Sequence, residues 1–352
     1  MRVLIAFIGF WFLLSTVAAN AGQGFVDPLS LSAQAAAHPG HSPLTAITSV
    51  GNRLIAVGWR GLITYSDDGG KSWRQAHAPV SVDLTGVDFP TLKDGWAVGH
   101  DGIILHTDDG GLTWTEQLNG VQAAAIAVAY FQQKVDAGDA GVRSLLDDAK
   151  AHQTDNASNP FLSVRFVSPT DGYAVGSFGL SMHTTDAGKS WAPFGDRIDN
   201  PEALNLFGIG EYKGNLYIAS EKGTVFVMEH GTDRFIRRST GYSGSLFGVV
   251  GGGSGVVAYG LRGHVFRSSD GGANWSAMDG TDGATVTGAT SLADGRVALV
   301  NLGGAVMESD VGLTKFASVT GTPGVVLSGI AGGPDGGLTV VGMGGAHTFG
   351  VR

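Results

Sequence analysis

Along most of the chain, short apolar runs alternate with turns rich in Gly, Asp and Ser, at intervals too short for helices. Leu84–Trp114 shows the phrase most plainly. Leu84–Phe89 is a first run, Gly95–Gly99 (GWAVG) a second and Gly102–Thr107 (GIILHT) a third. The turn TDDGGLTW then ends on Trp114, which opens a fourth run. Four short strands joined by tight turns are the expected reading.

The phrase repeats. The turn at Thr107–Trp114 has counterparts in SDDGGKSW (Ser66–Trp73), TTDAGKSW (Thr184–Trp191) and SSDGGANW (Ser268–Trp275). The shared pattern is Ser/Thr-x-Asp-x-Gly-x-x-Trp. Its hydroxyl (Ser66, Thr107, Thr184, Ser268) and its carboxylate (Asp68, Asp109, Asp186, Asp270) can accept main-chain hydrogen bonds and close a turn. Its Gly (Gly70, Gly111, Gly188, Gly272) takes a backbone angle that a side chain obstructs, and its Trp (Trp73, Trp114, Trp191, Trp275) is an apolar anchor. A Gly stands twelve residues before each Trp, at Gly61, Gly102, Gly179 and Gly263, and the same interval from Gly223 to Phe235 and from Gly304 to Phe316 exposes two decayed copies. A small residue precedes that Gly by fifteen or sixteen positions: Ala46, Gly86, Ser163, Gly208, Gly248, Gly288 and, in a seventh copy, Gly329 ahead of Gly345.

Seven copies of four strands, about forty residues apart, predict an all-β, seven-bladed β-propeller, the small residues crowding its central axis. The seventh copy ends before its outer strand, since twelve residues past Gly345 lies beyond Arg352. The spare extended segment Phe25–Leu31 is therefore expected to supply that strand and close the ring. One insertion, at about residues 117–159, breaks the rhythm between blades 2 and 3. Val121–Val135 is Ala-rich and Gly-free, and Val142, Leu145, Leu146 and Ala149 share one helix face, so a helical hairpin turning at Ala137–Gly141 is expected. Its apolar stripe either packs on the ring or docks a partner.

Arg2 followed by the apolar run Val3–Val17 and Ala19-Asn20-Ala21 reads as a signal peptide over residues 1–21 with cleavage before Gly22. The run falls short of a membrane span. The expectation is thus an exported chain with a leader at 22–43, a propeller at 44–352 and no span after cleavage. With a net charge of −9, nonspecific nucleic-acid binding is not expected. The absence of cysteine excludes disulfides, thiolate metal sites and cysteine nucleophiles.

In such a blade the Gly-x-x-Gly turns between strands two and three share one end, here the top face, with the links between blades and with the helical insertion. They carry Trp59 and Arg60, His100 and Asp101, Ser177 and Phe178, Glu221 and Lys222, Leu261 and Arg262, Leu302 and Gly303, and Met343 and Gly344. Exposed Trp, Phe, Met and Arg are residues that interfaces favour. Singly, each is also an ordinary solvated turn residue. Trp59, Arg60, His100, Asp101, Phe178, Lys222 and Arg262 are the candidate partner-binding set. The four box aspartates occupy one place in successive blades and cannot converge on a substrate, so the turn itself accounts for them. His38 and His41 are too few for a metal, His106 and His183 recur with the repeat, and no hydrolase elbow, zinc helix or phosphate loop occurs. Neither catalytic residues, cofactor nor metal is expected.

The boxes resemble the BNR or Asp-box repeat of sialidases, other glycoside hydrolases and noncatalytic propellers. Whole blades, such as LTGVDFPTLKDGWAVGHDGIILHTDDGGLTW, more closely resemble the photosystem II stability and assembly factor family, from Leu44 to about Val351 and including the DGWAVG and DGYAVG strands. That resemblance implies a seven-bladed, nonenzymatic scaffold that holds membrane-protein intermediates during assembly through a basic patch, with Arg60, Lys222 and Arg262 at the matching positions; the chain itself is expected to be a monomer. For this chain the partner would be an envelope membrane protein. The helical hairpin departs from the family pattern. The alternatives are a sialidase-like glycoside hydrolase or a glycan-binding propeller, and the sialidase Phe/Tyr-Arg-Ile-Pro motif is absent: the first blade reads LTAITSVGNRLIAVG.

Overall fold

The computed structural model describes residues 26–155, 157–319, 324–333 and 336–350. The expected signal peptide and its cleavage site lie outside the described residues. Seven antiparallel sheets follow one another along the chain, six of four strands and the seventh of three. The first strand of each sheet packs on the first strand of the next, and that of the seventh (Leu327–Gly332) returns to that of the first (Leu44–Val50). The molecule is a seven-bladed propeller. In blade 2 the strands are Leu84–Asp88, Gly95–Gly99, Ile104–Thr107 and Thr115–Leu118, within a residue or so of the runs read from the sequence.

The axis is as crowded as the small residues predict. A Cβ on Gly208 would lie 2.6 Å from the carbonyl of Phe247 in the next blade, and one on Gly288 would lie 3.0 Å from the Gly329 Cα. Second strands lie in the middle of each sheet, between the first and third strands, and are buried along their length in Gly95–Gly99 and Gly255–Gly260. Aromatic anchors such as Trp96, stacked on Phe166 with ring centroids 3.6 Å apart, fill the seams between blades. Each large apolar side chain so buried stabilises the ring by about 1.5–3 kcal/mol.

A bulge in the first strand ties blades together. Pairing with the second strand slips between Leu44 and Ala46, and the skipped Thr45 turns its hydroxyl to the Val57 carbonyl (3.0 Å) and across to Leu84 of the next blade (2.5 Å). Thr85 makes the same pair of bonds to Val98 and Phe161, Thr287 to Val300 and Leu327, and Ser328 to Val341 and Leu44. At the remaining three junctions the position holds Leu162, Phe207 and Phe247, the two phenylalanines meeting edge to face at 5.1 Å.

Closure differs from the sequence expectation. Among the described residues the seventh sheet gains no strand from the N-terminal segment. Asp27 caps a 3-10 turn at Pro28–Ser30, accepting from the Leu29 amide at 3.0 Å, and proline withholds the donor a ladder needs. The leader instead lies along blade 1. Ser81 donates to the Pro28 carbonyl, Ala33 to Ala78, and Ala36 to the Gln75 side chain. It then passes over Trp73 at Gly40 and meets blade 7 where Gly345 approaches Gly40 and His41. The ring is shut by the Ser328 clasp on Leu44 (2.7 Å), as at the other hydroxyl junctions.

The insertion is a helical hairpin, α1 (Gly120–Asp136) and α2 (Arg143–Thr154). A reciprocal capping box of Asn119 and Gln122 starts α1. Val142, Leu146 and Ala149 are buried with Phe131 in a core of the hairpin's own, so the stripe faces α1 rather than an outside partner. α1 also rests on the seam between blades 2 and 3, through Ala123, Ile126 and Ala127, the last touching both this seam and the hairpin core.

Candidate protein-binding face

The two ends of the propeller are both built of repeated turns. At the lower end each box is closed upon itself. In the first, the Ser66 hydroxyl accepts from the Gly70 amide (2.8 Å) and donates to Asp68 (2.8 Å). Asp68 also accepts from the Ser72 amide and hydroxyl (2.9 and 2.6 Å), and the Trp73 indole donates to the Gly70 carbonyl (3.2 Å). Asp109, Asp186 and Asp270 repeat the arrangement with Thr113, Ser190 and Asn274. These donors outweigh the slight burial of Asp109 and hold its carboxyl at about 2; those from Asn274 and Ser268 hold Asp270 at about 2. The box-position carboxylates Asp68, Asp109, Asp186 and Asp270 are all taken up by their own turns.

A fifth box escaped the sequence pattern. In Ser309–Phe316 the aspartate is displaced by one position, and Asp310 takes the amide and hydroxyl of Thr314 (2.6 and 2.5 Å), while Leu313 occupies the left-handed angle of the missing Gly (φ 52°). Gln117 is a second omission. It accepts from the Trp96 indole (2.9 Å) and donates to the Ala187 carbonyl (3.1 Å), clamping the third box to blade 2. Among the described residues no group of three or more His, Cys, Asp or Glu could hold a metal ion. His183 is instead bonded to Asp171 (2.9 Å) and stacked on Tyr173, with burial pushing its pKa down; burial does the same to His106 beside Trp96.

The upper turns are built differently. Arg60, Asp101, Phe178, Lys222 and Arg262 all sit at φ 54–57°, the left-handed region that glycine enters freely and other residues enter at a cost of about 1 kcal/mol or more. Three are pinned by a side chain from the lead-in to the following blade. The Arg60 amide donates to Asp83 (2.8 Å), that of Phe178 to Asn205 (2.8 Å) and that of Arg262 to Thr285 (3.2 Å). The backbone is thereby fixed while Arg60, Phe178 and Arg262 stay exposed. Trp59, Phe178, Leu302 and Met343, all upper-turn residues, rank among the exposed large apolar side chains, Phe178 being 67% exposed.

The seven candidates do not form one uniform ring. Lys222 is ion-paired with Glu202, which also receives Arg237 at 2.7 Å, so its charge is already answered. The turn bearing His100 and Asp101 lies under the start of α1, where a Cβ on Gly102 would fall 2.5 Å from the Gly120 Cα, and burial pushes the Asp101 carboxyl up. Phe178 stands at the mouth of a cavity beneath the hairpin. The open stretch runs through blades 5, 6, 7 and 1 and carries Arg262, Leu302, Met343, Trp59 and Arg60. Neither the Arg60 nor the Arg262 guanidinium is ion-paired with a carboxylate among the described residues. The arrangement is apolar in the middle and cationic at both ends.

Comparison with known proteins follows the same division between fold and detail. The sequence profile of the photosynthesis system II assembly factor YCF48 matches residues 48–122, and a search of curated proteins finds no match. A solved structure of YCF48 bound to D1 peptide superposes with a TM-score of 0.64 at 16% identity, covering 91% of this chain and 96% of that one. YCF48 from Cyanidioschyzon merolae gives 0.62 at 17%, covering 89% and 97%. Streptogramin B lyase, an enzyme by its name, gives 0.61 at 12%, covering 88% and 93%, so the propeller alone decides no activity. The chain is similar to the photosystem II assembly factors in sequence over its first two blades and in fold over nine-tenths of its length.

Proposed function

We propose that the chain is a noncatalytic, exported scaffold that receives a protein partner on its upper face and aids assembly or stability of a membrane protein of the cell envelope. The observation that carries the reading is the set of five upper turns holding Arg, Asp, Phe, Lys and Arg where glycine would be unstrained. A turn that served only to reverse the chain would favour glycine there, as the boxes do. Trp59, Leu302 and Met343 add apolar anchors, while Arg60 and Arg262 favour acidic residues on either side of an apolar partner segment. The similar YCF48 structure with a D1 peptide bound supports a protein ligand for this kind of ring. The signal-like start, in residues outside those described, supports export.

Crosslinked capture from the native cell envelope tests the reading. Arg60→Glu with Arg262→Glu is expected to cut recovery of the partner at least about tenfold, as loss of charged anchors does, with the melting temperature unchanged. Equal recovery from the double variant would move the working face elsewhere. Turnover of a fluorogenic sialoside by the wild-type chain would restore the hydrolase alternative.

A further inference from the structure

Blade 3 departs from the other six at one buried position. The third-strand residue that pairs with Val57 in blade 1 is Ile63, and its equivalents are Ile104, Val225, Val265, Val306 and Ala346. In blade 3 the residue there, paired with Val175, is Ser181. It is 5% exposed, and its hydroxyl makes no hydrogen bond among the described residues. Leaving a buried hydroxyl unpaired is unfavourable and calls for an explanation.

The hydroxyl faces a cavity. The hairpin does not seal against blade 3, and a space of about 400 Å³ lies between them, within the range of small-molecule sites. A Cβ on Gly195 would lie 3.5 Å from Ser181 Oγ, 3.7 Å from Leu145 Cδ2 and 3.9 Å from Phe131 Cζ, and all four residues line the space. One oxygen is thus set among apolar groups. The charged carboxylates of the lining, Asp148 and Asp155, are exposed, and the His152 Nε2 is sealed away from it. The other polar side chains are neutral: Ser144, Ser158, Asn159, Ser177 and Asn200, the last already bonded through both amide atoms to Leu204.

We infer that this cavity binds a small neutral molecule with an apolar body and one hydroxyl. The body lies against Phe131 and Leu145, and the hydroxyl bonds to Ser181 Oγ, which can both donate and accept. A charged head beside Ser181 would lose its water with no counter-charge to replace it, so the site selects against ions of either sign. The cavity lies apart from the open arc of upper turns and does not depend on the partner-binding reading.

Titration calorimetry of the full chain with 4-ethylphenol, ethylbenzene and 4-ethylbenzoate tests the assignment. 4-Ethylphenol should bind at least as tightly as ethylbenzene, and 4-ethylbenzoate at least about tenfold more weakly than either, because its charge is buried unpaired. Ser181→Val gives blade 3 the kind of residue that the other six carry, so its melting temperature should hold or rise. The affinity ratio of 4-ethylphenol to ethylbenzene should fall about tenfold in that variant, since the ligand hydroxyl is then left without a partner. Gly195→Leu should fill the space and abolish binding of all three probes. Should it fail to fold, Ser181→Val carries the test alone. Equal binding of 4-ethylbenzoate and 4-ethylphenol overturns the proposal, and so does no binding by any probe, the result for a cavity that holds only water. An unchanged ratio in Ser181→Val also overturns it, as does a lowered melting temperature, which would show the hydroxyl bonded within the protein.

Discussion

At the lower end of the propeller, the four intact boxes turn on glycine, with Ala187 and Leu313 as exceptions at positive angles in the third and fifth boxes; at the upper end, five positive angles fall to residues with side chains. Gly70, Gly111, Gly188 and Gly272 turn the boxes at φ 75–93°, whereas Arg60, Asp101, Phe178, Lys222 and Arg262 turn the upper loops at φ 54–57°. Below, Asp68, Asp109, Asp186 and Asp270 and the hydroxyls that open their boxes are spent on their own loops. Above, at Arg60, Phe178 and Arg262, the backbone is pinned from the neighbouring blade and the side chain is left over. The difference separates a repeat that stabilises from a repeat that displays. It predicts that substitutions at the two ends will move different observables.

The largest effect belongs to the box anchors. Trp114 is 2% exposed, packs edge to face with Phe89 at 5.8 Å and donates to the Gly111 carbonyl. Trp114→Ala should cost about 3–5 kcal/mol in urea unfolding, the range for deleting a buried aromatic. Partner capture by the folded fraction should not change. A loss of capture at full stability would make the lower end a binding face and dissolve the contrast.

Asp109 sharpens the same point at smaller scale. Asp109→Ala removes the acceptor of the Leu112 and Thr113 amides and should cost about 1–2 kcal/mol, as loss of a local cap does. Its pH signature is specific. The folded carboxyl sits at about 2, below the unfolded value of about 3.9. Its stabilisation is therefore complete above the unfolded value and lost as pH falls from about 4 towards 2. Melting curves across that window should fall more gently for Asp109→Asn than for the wild type. Identical acid limbs would show that the box carboxylate is not what ties the turn.

Much of this was legible in the sequence because the boxes are local. Hydroxyl, carboxylate, glycine and indole lie within eight residues and bond to one another, so spacing alone fixes their roles. What was not legible depends on neighbours in space. The clasp position holds Thr or Ser in four blades and Leu or Phe in three, and its bonds run to the next blade, so no pattern marks it. Lys222 looked like a free cation because Glu202 reaches it from an inter-blade link. Asp310 hid by shifting one position. The leader promised an extended strand until Asp27 and Pro28 turned it. The hairpin stripe was recognisable as apolar, but periodicity does not say which surface it meets.

Ring closure offers a third test. If the Ser328 hydroxyl holds blade 7 to blade 1, Ser328→Ala should cost about 1 kcal/mol, the net value of such a bond. Deleting residues 22–31, which include the segment Phe25–Leu31 expected from the sequence to close the ring, should leave the seventh blade's hydrogen-exchange protection unchanged. Loss of protection there after the deletion would restore a closing role to that segment.

The smallest expected change in stability is also the one that bears hardest on function. Arg60→Gly and Arg262→Gly each relieve a left-handed strain of about 1–2 kcal/mol and add about 0.5–1 kcal/mol of chain entropy to the unfolded state. The two terms oppose each other, so stability should stay within about 1 kcal/mol of wild type, with a slight gain. The amide bonds to Asp83 and Thr285 use the backbone and survive the change. What disappears is the guanidinium. A glycine pair that melts at or above the wild-type temperature yet loses the partner would show that the strain is retained for what the side chain does. A pair that loses more than about 2 kcal/mol, a magnitude that signals a broken structural contact, would mean the arginines brace the turns and the two ends of the propeller are alike after all.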